Sequence, residues 1–229
     1  MSVKAVVFDL DDTLYNQSQH LAGAFFSVGR LLKRRFNLDP LEVKDKLLSY
    51  YRIKGSSSGK LLDAVLENYG VKPEKELINQ MISAFYSYKP TKLKPYKGAL
   101  SLLMRIKERD LKLGVLTNGN PKVQREKIVA LGLNEFFDQI IVTDDFGREF
   151  RKPSTRCFLE IAHRLKVNPR ECIYVGDNPE KDFVGAREVG MMTVRVFTGE
   201  YRKIKVEKEL EAEKTIRRLE DLEKILDVM

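Results

Sequence analysis

The sequence predicts an α/β protein in which a Rossmann-like parallel sheet is flanked by helices and four further helices are inserted after the first strand. Two observations support this fold class. From residue 97 onward, short apolar segments alternate with segments of helical periodicity, which is typical of a parallel sheet with helices on both faces. Residues 15–92 contain four amphipathic patterns and no strand pattern. We therefore expect an α/β core of residues 1–14 and 93–229 and a helical domain of residues 15–92.

The first strand is a short apolar segment, residues 3–8, whose composition is typical of a strand buried on both faces. Asp9 and Asp11 follow it directly. A parallel strand that ends in acids delivers them to the edge of the sheet where open α/β folds bind ligands. Their spacing can aim both carboxylates at one point. Because two such close acids do not both ionise easily, the pair implies either Mg²⁺ or a shared proton.

The helices of the inserted segment are bounded by typical start and stop residues. Gly70 is a favourable C-terminal stop, and Pro73 is a favourable first residue of a helix. The Gly/Ser-rich residues 54–60 favour a flexible linker, and a contact with a substrate phosphate is the alternative. The four helices are expected at residues 16–36, 40–53, 61–69 and 73–86.

Regular βα units are expected after the insertion. The predicted strands cover residues 111–116, 139–143, 171–175 and 191–196. The predicted helices cover residues 97–109, 121–131, 154–165 and 179–189. A last amphipathic helix is predicted in the charged C-terminal segment, through Leu219, Leu222, Ile225 and Leu226.

The second strand leads into Thr117-Asn118-Gly119 before the next helix. A hydroxyl followed by backbone N–H groups in a glycine-containing turn suits a phosphate oxygen, although a plain turn is the alternative interpretation. Lys152 precedes Pro153 at the start of a predicted helix. A lysine there supplies positive charge to a site, but a lone lysine is more often a surface residue.

The fourth strand of the sheet leads into Gly176 and Asp177, and Asp182 is expected in the first turn of the following helix. Glycine permits a tight turn, and Asp177 is expected to project from the same sheet edge as Asp9. A role in capping the helix or balancing its dipole is the alternative for either acid.

In this order the four segments resemble the four motifs of the haloacid dehalogenase (HAD) superfamily. Asp9, Asp11 and Thr13 match its nucleophile motif, Asp-x-Asp-x-Thr. The second, third and fourth motifs are matched by Thr117-Asn118, by Lys152, and by Gly176-Asp177 with Asp182. The resemblance covers nearly the whole chain, and the inserted helices look like the C1-type cap of that superfamily, which sets substrate choice.

The resemblance implies a phosphomonoester hydrolase that reacts through an aspartyl-phosphate. Asp9 would be the nucleophile, and Asp11 would protonate the leaving alcohol and then deprotonate water. Thr117, the Asn118 N–H and Lys152 would hold the phosphoryl oxygens. The expected substrates are small phosphorylated metabolites such as sugar or triose phosphates, phosphoglycolate or nucleotides.

The same resemblance implies Mg²⁺ as the cofactor, because a carboxylate nucleophile and a phosphate dianion repel each other. The side chains of Asp9 and Asp177 and the backbone carbonyl of Asp11 would bind the ion. Supporting roles would fall to Thr13, Gly176 and Asp182.

Other activities remain open at this point. The 2-haloacid dehalogenases of the superfamily lack the second acid, so Asp11 favours phosphoryl chemistry. A phosphomutase uses the same residues and is a further alternative. From a different class, a non-catalytic phospho-acceptor or binding protein is the remaining alternative.

Composition limits the partners. The net charge is +8, but the 41 lysines and arginines are dispersed among 33 acids, which predicts a solvated surface and no nucleic-acid partner. No segment has membrane-spanning length, and we expect a cytoplasmic monomer or homodimer. The charged fraction of 32% and the absence of Trp are typical of a heat-adapted protein. Cys157 and Cys172 are expected to be inert core thiols, with a disulfide as the alternative.

Overall fold

The computed structural model describes residues 2–54 and 60–229. Two compact units make up the chain. One contains Met1–Asn16 and Lys92–Met229, and the other contains Gln17–Thr91. Within the described residues, no helix is both long and apolar enough to cross a membrane.

The first unit contains a six-stranded sheet in which every neighbouring pair of strands is parallel. The strands are β1 (Ala5–Phe8), β2 (Lys112–Thr117), β3 (Gln139–Val142), β4 (Cys172–Gly176), β5 (Met192–Val196) and β6 (Lys214–Ile216). Their order is β3-β2-β1-β4-β5-β6, so β1 lies near the middle. The predicted α/β class with a parallel sheet is confirmed.

Register brings the strand ends to one edge of the sheet. Phe8 pairs with Val115 of β2 and with Val175 of β4. Just beyond β1, the Asp9 N–H donates to the Val175 carbonyl at 2.9 Å. The residues that follow β1, β2 and β4 are therefore neighbours.

Both faces of the central strand are buried. Val6 and Phe8 belong to one apolar cluster, and Ala5 and Val7 belong to a second cluster on the opposite face. This two-sided burial explains the uninterrupted apolar segment in the sequence.

The described residues of the second unit form four helices with an apolar core of their own. They are α1 (Ser18–Phe36), α2 (Pro40–Lys54), α3 (Leu61–Asn68) and α4 (Lys75–Tyr86). Gly29 of α1 lies against the start of α2, where an added Cβ would come within 2.6 Å of the Pro40 carbonyl oxygen. The predicted start of α4 at Pro73 is two residues early, because Glu74 is still extended. Residues 55–59 of the predicted linker lie outside the described residues.

Helices cover the sheet of the first unit. They are α5 (Ala99–Glu108), α6 (Pro121–Ala130), α7 (Thr155–Leu165), α8 (Val184–Glu188) and α9 (Leu222–Leu226). Asn120 caps α6, since its side chain accepts from the Val123 N–H at 3.2 Å. Cys157 of α7 and Cys172 of β4 are buried free thiols, so a disulfide between them is wrong.

Other elements of the first unit also differ from the prediction. Strand β6 was not predicted, because Ile216 is its one buried residue in a charged segment. The last helix is a short α9 preceded by a 3₁₀ turn at Leu219–Asp221. Helix α7 begins at Thr155, after Lys152–Pro153 rather than at this pair.

Helix α8 is much shorter than the predicted residues 179–189, and Asp182 precedes it rather than lying in its first turn. The Asp182 side chain turns back to accept a hydrogen bond from the Asn178 N–H at 3.0 Å. The intervening residues form turns around this contact, which delays the start of the helix.

Candidate active site

Three buried carboxylates meet at the carboxyl edge of the sheet. Asp9 follows β1, Asp177 follows β4, and Asp182 lies in the turn before α8. One carboxylate oxygen of each lies within 4.8 Å of the others, and among the described residues this cluster could hold a metal ion. Oxygen ligands of this kind suit a hard divalent cation.

Lys152 is buried beside this cluster. Its Nζ donates to Asp9 Oδ1 at 2.6 Å, to Asp182 Oδ1 at 2.7 Å and to the Tyr174 hydroxyl at 2.7 Å. Its side chain is 2% exposed. Three acceptors satisfy the three N–H donors of the ammonium group, so the lysine is held in one place.

The position of the Lys152 backbone depends on Asn118. The Asn118 Oδ1 atom accepts from the Lys152 N–H at 3.0 Å, and its Nδ2 atom donates to the Lys152 carbonyl at 3.2 Å. Thr143 also donates its hydroxyl to Asn118 Oδ1 at 3.0 Å. The sequence predicted a role for the Asn118 N–H, and the structure adds this role for its side chain.

Negative charge exceeds positive charge in the cluster. Burial and the nearby Asp182 outweigh the attraction of Lys152 and raise the pKa of Asp9 from 3.8 to about 6. Burial, Asp182 and Asp9 raise the pKa of Asp177 well above its usual range. Burial lowers the pKa of Lys152, but the Asp182 and Asp9 carboxylates overcome this effect, so its net direction is upward. A further cation would relieve this crowding.

Two of the predicted supporting residues are placed beside the acids. The Thr13 hydroxyl lies 3.5 Å from Asp9 Oδ2 and 3.4 Å from Asp177 Oδ1. Gly176 leaves room for Asp182, because a Cβ at position 176 would clash with Asp182 Oδ2. Any larger residue there would displace that carboxylate.

The Asp11 carboxylate lies outside the three-acid cluster of the described residues and has its own donors. Lys127 Nζ donates to its two oxygens at 2.8 and 2.9 Å, and the Tyr15 hydroxyl donates at 2.6 Å. Gln124 Nε2 contacts both Asp11 Oδ2, at 2.9 Å, and Thr117 Oγ1, at 2.7 Å. Burial opposes ionisation, but Lys127 and the other donors lower the pKa of Asp11 to about 2. Asp11 is therefore ionised at neutral pH.

The structure thus brings Asp9, Lys152, Asp177 and Asp182 together and links Thr117 to Asp11. Sequence reasoning missed four contributing residues: Tyr15, Gln124, Lys127 and Tyr174. A detectable signal existed for two of them, because polar residues at positions 124 and 127 lie one turn apart on the apolar face of α6.

The family comparison covers all four segments of this site. A family model described as haloacid dehalogenase-like hydrolase matches residues 6–196. Among solved structures, an HAD phosphatase from Thermococcus onnurineus has a TM-score of 0.66 and 28% sequence identity, and the match covers 98% of both chains.

Two curated relatives match over most of their length. A glyceraldehyde 3-phosphate phosphatase of Methanopyrus kandleri is 36% identical over 203 residues, which cover 87% of this chain and 86% of the relative. A glyceraldehyde 3-phosphate phosphatase of Methanocaldococcus jannaschii is 35% identical over 201 residues, which cover 87% of each protein.

Proposed function

The chain belongs to the haloacid dehalogenase-like hydrolase family, and from this premise we propose that it is a phosphatase that hydrolyses small phosphomonoesters through Asp9. One observation carries the proposal. The buried Asp9 carboxylate lies at the end of the central strand, beside the Asp177 and Asp182 carboxylates and 2.6 Å from Lys152 Nζ. A desolvated and oriented carboxylate is a suitable nucleophile for phosphorus.

We propose Mg²⁺ as the cofactor. The donor set fits it, because three buried carboxylates with too little positive charge favour a hard divalent cation. The side chains of Asp9 and Asp177 and the backbone carbonyl of Asp11 would hold the ion, and Asp182 would support it. When bound, Mg²⁺ would supply positive charge that reduces repulsion between the Asp9 carboxylate and a phosphate dianion.

In the first step, an Asp9 oxygen forms a bond to phosphorus while the bond to the leaving alcohol breaks, which gives an aspartyl-phosphate. Asp11 gives its proton to the leaving oxygen. In the second step, water attacks phosphorus, Asp11 takes a proton from this water, and the bond to Asp9 breaks. Thr117 and the Asn118 N–H hold the phosphoryl oxygens in both steps, and Lys152 supplies positive charge beside them.

The protonation state of Asp11 matters for both steps of this reaction. With a pKa of about 2, its carboxylate is ready to act as the base of the second step. The same low pKa means that Asp11 loses the proton gained from water between turnovers at neutral pH, so it has to gain a proton when the next substrate binds.

We propose a triose phosphate, glyceraldehyde 3-phosphate, as the substrate. The support is the name of the two relatives that are 36% and 35% identical over most of both chains. We further propose that the helical unit of residues 17–91 acts as the C1-type cap that the resemblance implies, and that it selects the substrate.

The proposal is tested by phosphate release from glyceraldehyde 3-phosphate, phosphoglycolate, a hexose phosphate and a nucleotide, each with Mg²⁺ and with EDTA. The Asp9→Asn protein is the matched control, because it reports the spontaneous loss of phosphate from the triose. Mg²⁺-dependent release by the wild type alone is expected. Equal release by both proteins would contradict the assignment of Asp9, and preference for another ester would contradict the assigned substrate.

A further inference from the structure

Helix α6 presents two polar side chains to the protein interior beside the candidate site. Gln124 and Lys127 are 2% and 6% exposed, and they lie one helical turn apart. A lysine is rarely buried so fully without a partner. The partner here is Asp11, whose two oxygens both lie within 2.9 Å of Lys127 Nζ.

The contacts to Asp11 fix the orientation of its carboxylate and not only its charge. Lys127 contacts both oxygens, Tyr15 adds a second donor to Oδ1, and Gln124 adds a second donor to Oδ2. Two donors at each oxygen determine the plane of the carboxylate group. Gln124 also holds the Thr117 hydroxyl at 2.7 Å, so α6 connects the proposed acid–base group with a proposed phosphoryl-binding group.

We propose that Lys127 is a positioning residue that orients the Asp11 carboxylate for proton transfer to the leaving oxygen and from the attacking water. Gln124 assists Lys127, because its contacts with both side chains keep Asp11 at a fixed distance from Thr117. Stability alone does not require this arrangement, because a well-packed apolar pair is often as stable as a buried ion pair. The inference rests on the proposed function, since it assigns to Lys127 a part in that reaction.

The experiment compares Lys127→Met with the wild type on two substrates that differ in leaving group. Glycerol phosphate releases an alkoxide that needs a proton, whereas p-nitrophenyl phosphate releases a stable phenolate. We expect kcat/KM, which reports the step in which the leaving group departs, to fall about 10²-fold on the alkyl ester and less than about 10-fold on the aryl ester. Lys122→Met is the matched control, because Lys122 is an exposed lysine of the same helix.

A second measurement repeats the substitution in the Asp11→Asn background. If Lys127 acts through Asp11, Lys127→Met changes kcat of the Asp11→Asn protein by less than about twofold. Additive losses, or equal losses on both substrates, would overturn the inference and leave the proposed function intact. A wild-type protein that releases no phosphate from either ester would overturn both.

Folding is checked by circular dichroism and thermal unfolding of each variant. If Lys127→Met does not fold, the same comparison with Tyr15→Phe decides the question, because this change removes one donor to Asp11 Oδ1 without removing a charge. We expect this variant also to lose more activity on the alkyl ester than on the aryl ester, and both losses should be smaller than those of Lys127→Met. An unselective loss would overturn the inference.

Discussion

The hydroxyl of Tyr174 lies 2.7 Å from Lys152 Nζ and is the uncharged member of the three acceptors around that ammonium group. The same hydroxyl lies 3.2 Å from Asp182 Oδ1. Burial raises the pKa of Tyr174 well above its ordinary value, so the hydroxyl keeps its proton. It can therefore accept from Lys152 and donate to Asp182 at the same time, which holds the lysine between the two acids.

Tyr174→Phe removes this acceptor and preserves the ring, which packs edge-to-face against Phe158 at 5.0 Å between centroids. We expect unfolding free energy to fall by about 1–3 kcal/mol, because a buried N–H donor of Lys152 is left unsatisfied. Turnover should fall as well, since the ammonium can then shift. Denaturant unfolding and steady-state kinetics measure both. Tyr86→Phe, at an exposed position, is the control, and equal effects of the two substitutions would contradict the assignment.

Mg²⁺ should stabilise the protein against heat. In the proposed site the Asp9 and Asp177 carboxylates would bind the ion only in the folded state, and saturation at 100 times the dissociation constant would add about 2.7 kcal/mol. Thermal unfolding with Mg²⁺ and with EDTA measures the difference. Asp177→Asn should reduce it greatly, and an unchanged Mg²⁺ effect in this variant would place the ion elsewhere.

The metal-free protein should lose stability as pH rises from about 4 to about 6. The pKa of Asp9 is 3.8 in ordinary surroundings and about 6 in the folded protein. A raised carboxyl pKa means that the folded state binds the proton more tightly than the unfolded state does. The stabilisation from this proton is therefore complete below the unfolded-state pKa and is lost as pH rises through the folded-state pKa. Chemical denaturation in EDTA across this range tests the sign. Asp9→Asn should make the loss smaller, and the raised pKa of Asp177 accounts for the loss that remains.

Asp9→Asn and Asp11→Asn should separate the two proposed chemical roles. The first should abolish turnover with the fold intact, because no oxygen nucleophile remains. The second should slow turnover by about 10²- to 10⁴-fold, while it still permits an aspartyl-phosphate to form. Phosphate release and mass spectrometry of the acid-quenched protein measure these outcomes. Near-normal turnover of Asp9→Asn would refute the mechanism.

The two cysteines should be unreactive in the native protein. Burial raises the pKa of the Cys157 and Cys172 thiols from 9.0 to about 12, so neither forms the reactive thiolate near neutral pH. Titration with a thiol reagent at pH 8 should detect almost no reaction before unfolding and two thiols per chain in guanidinium chloride. Fast reaction of the folded protein would contradict the burial of these residues.

The fold class and the positions of the site acids could be predicted because they depend on local patterns. The apolar segment before Asp9 indicates a buried strand, and parallel strands bring their ends to one edge. Asp177 is placed by the same rule. The sequence around Asp182 is compatible with a helix, which is why this residue was predicted to lie in a first helical turn. Its contact with Lys152 joins residues that are distant in the sequence, so local patterns do not indicate it.

The environment of Asp11 could not be predicted in this way. Lys127 and Gln124 reach it from a helix far along the chain, and only the packing of α6 against the sheet decides which of its polar residues turn inward. Lys122 and Lys127 belong to the same helix and are chemically identical. Lys122 is exposed and Lys127 is buried, and this difference is determined by the tertiary structure.

The central position of β1 also determines when the site can form during protein synthesis. This strand precedes the other five strands in the chain, and its neighbours β2 and β4 begin only at Lys112 and Cys172. The helices of residues 17–91 form a compact unit from consecutive chain and can fold before either neighbour exists. An apolar strand therefore stays unpaired until about half of the chain is made, so β1 is an aggregation hazard in the nascent chain and a point where chaperone binding would be useful.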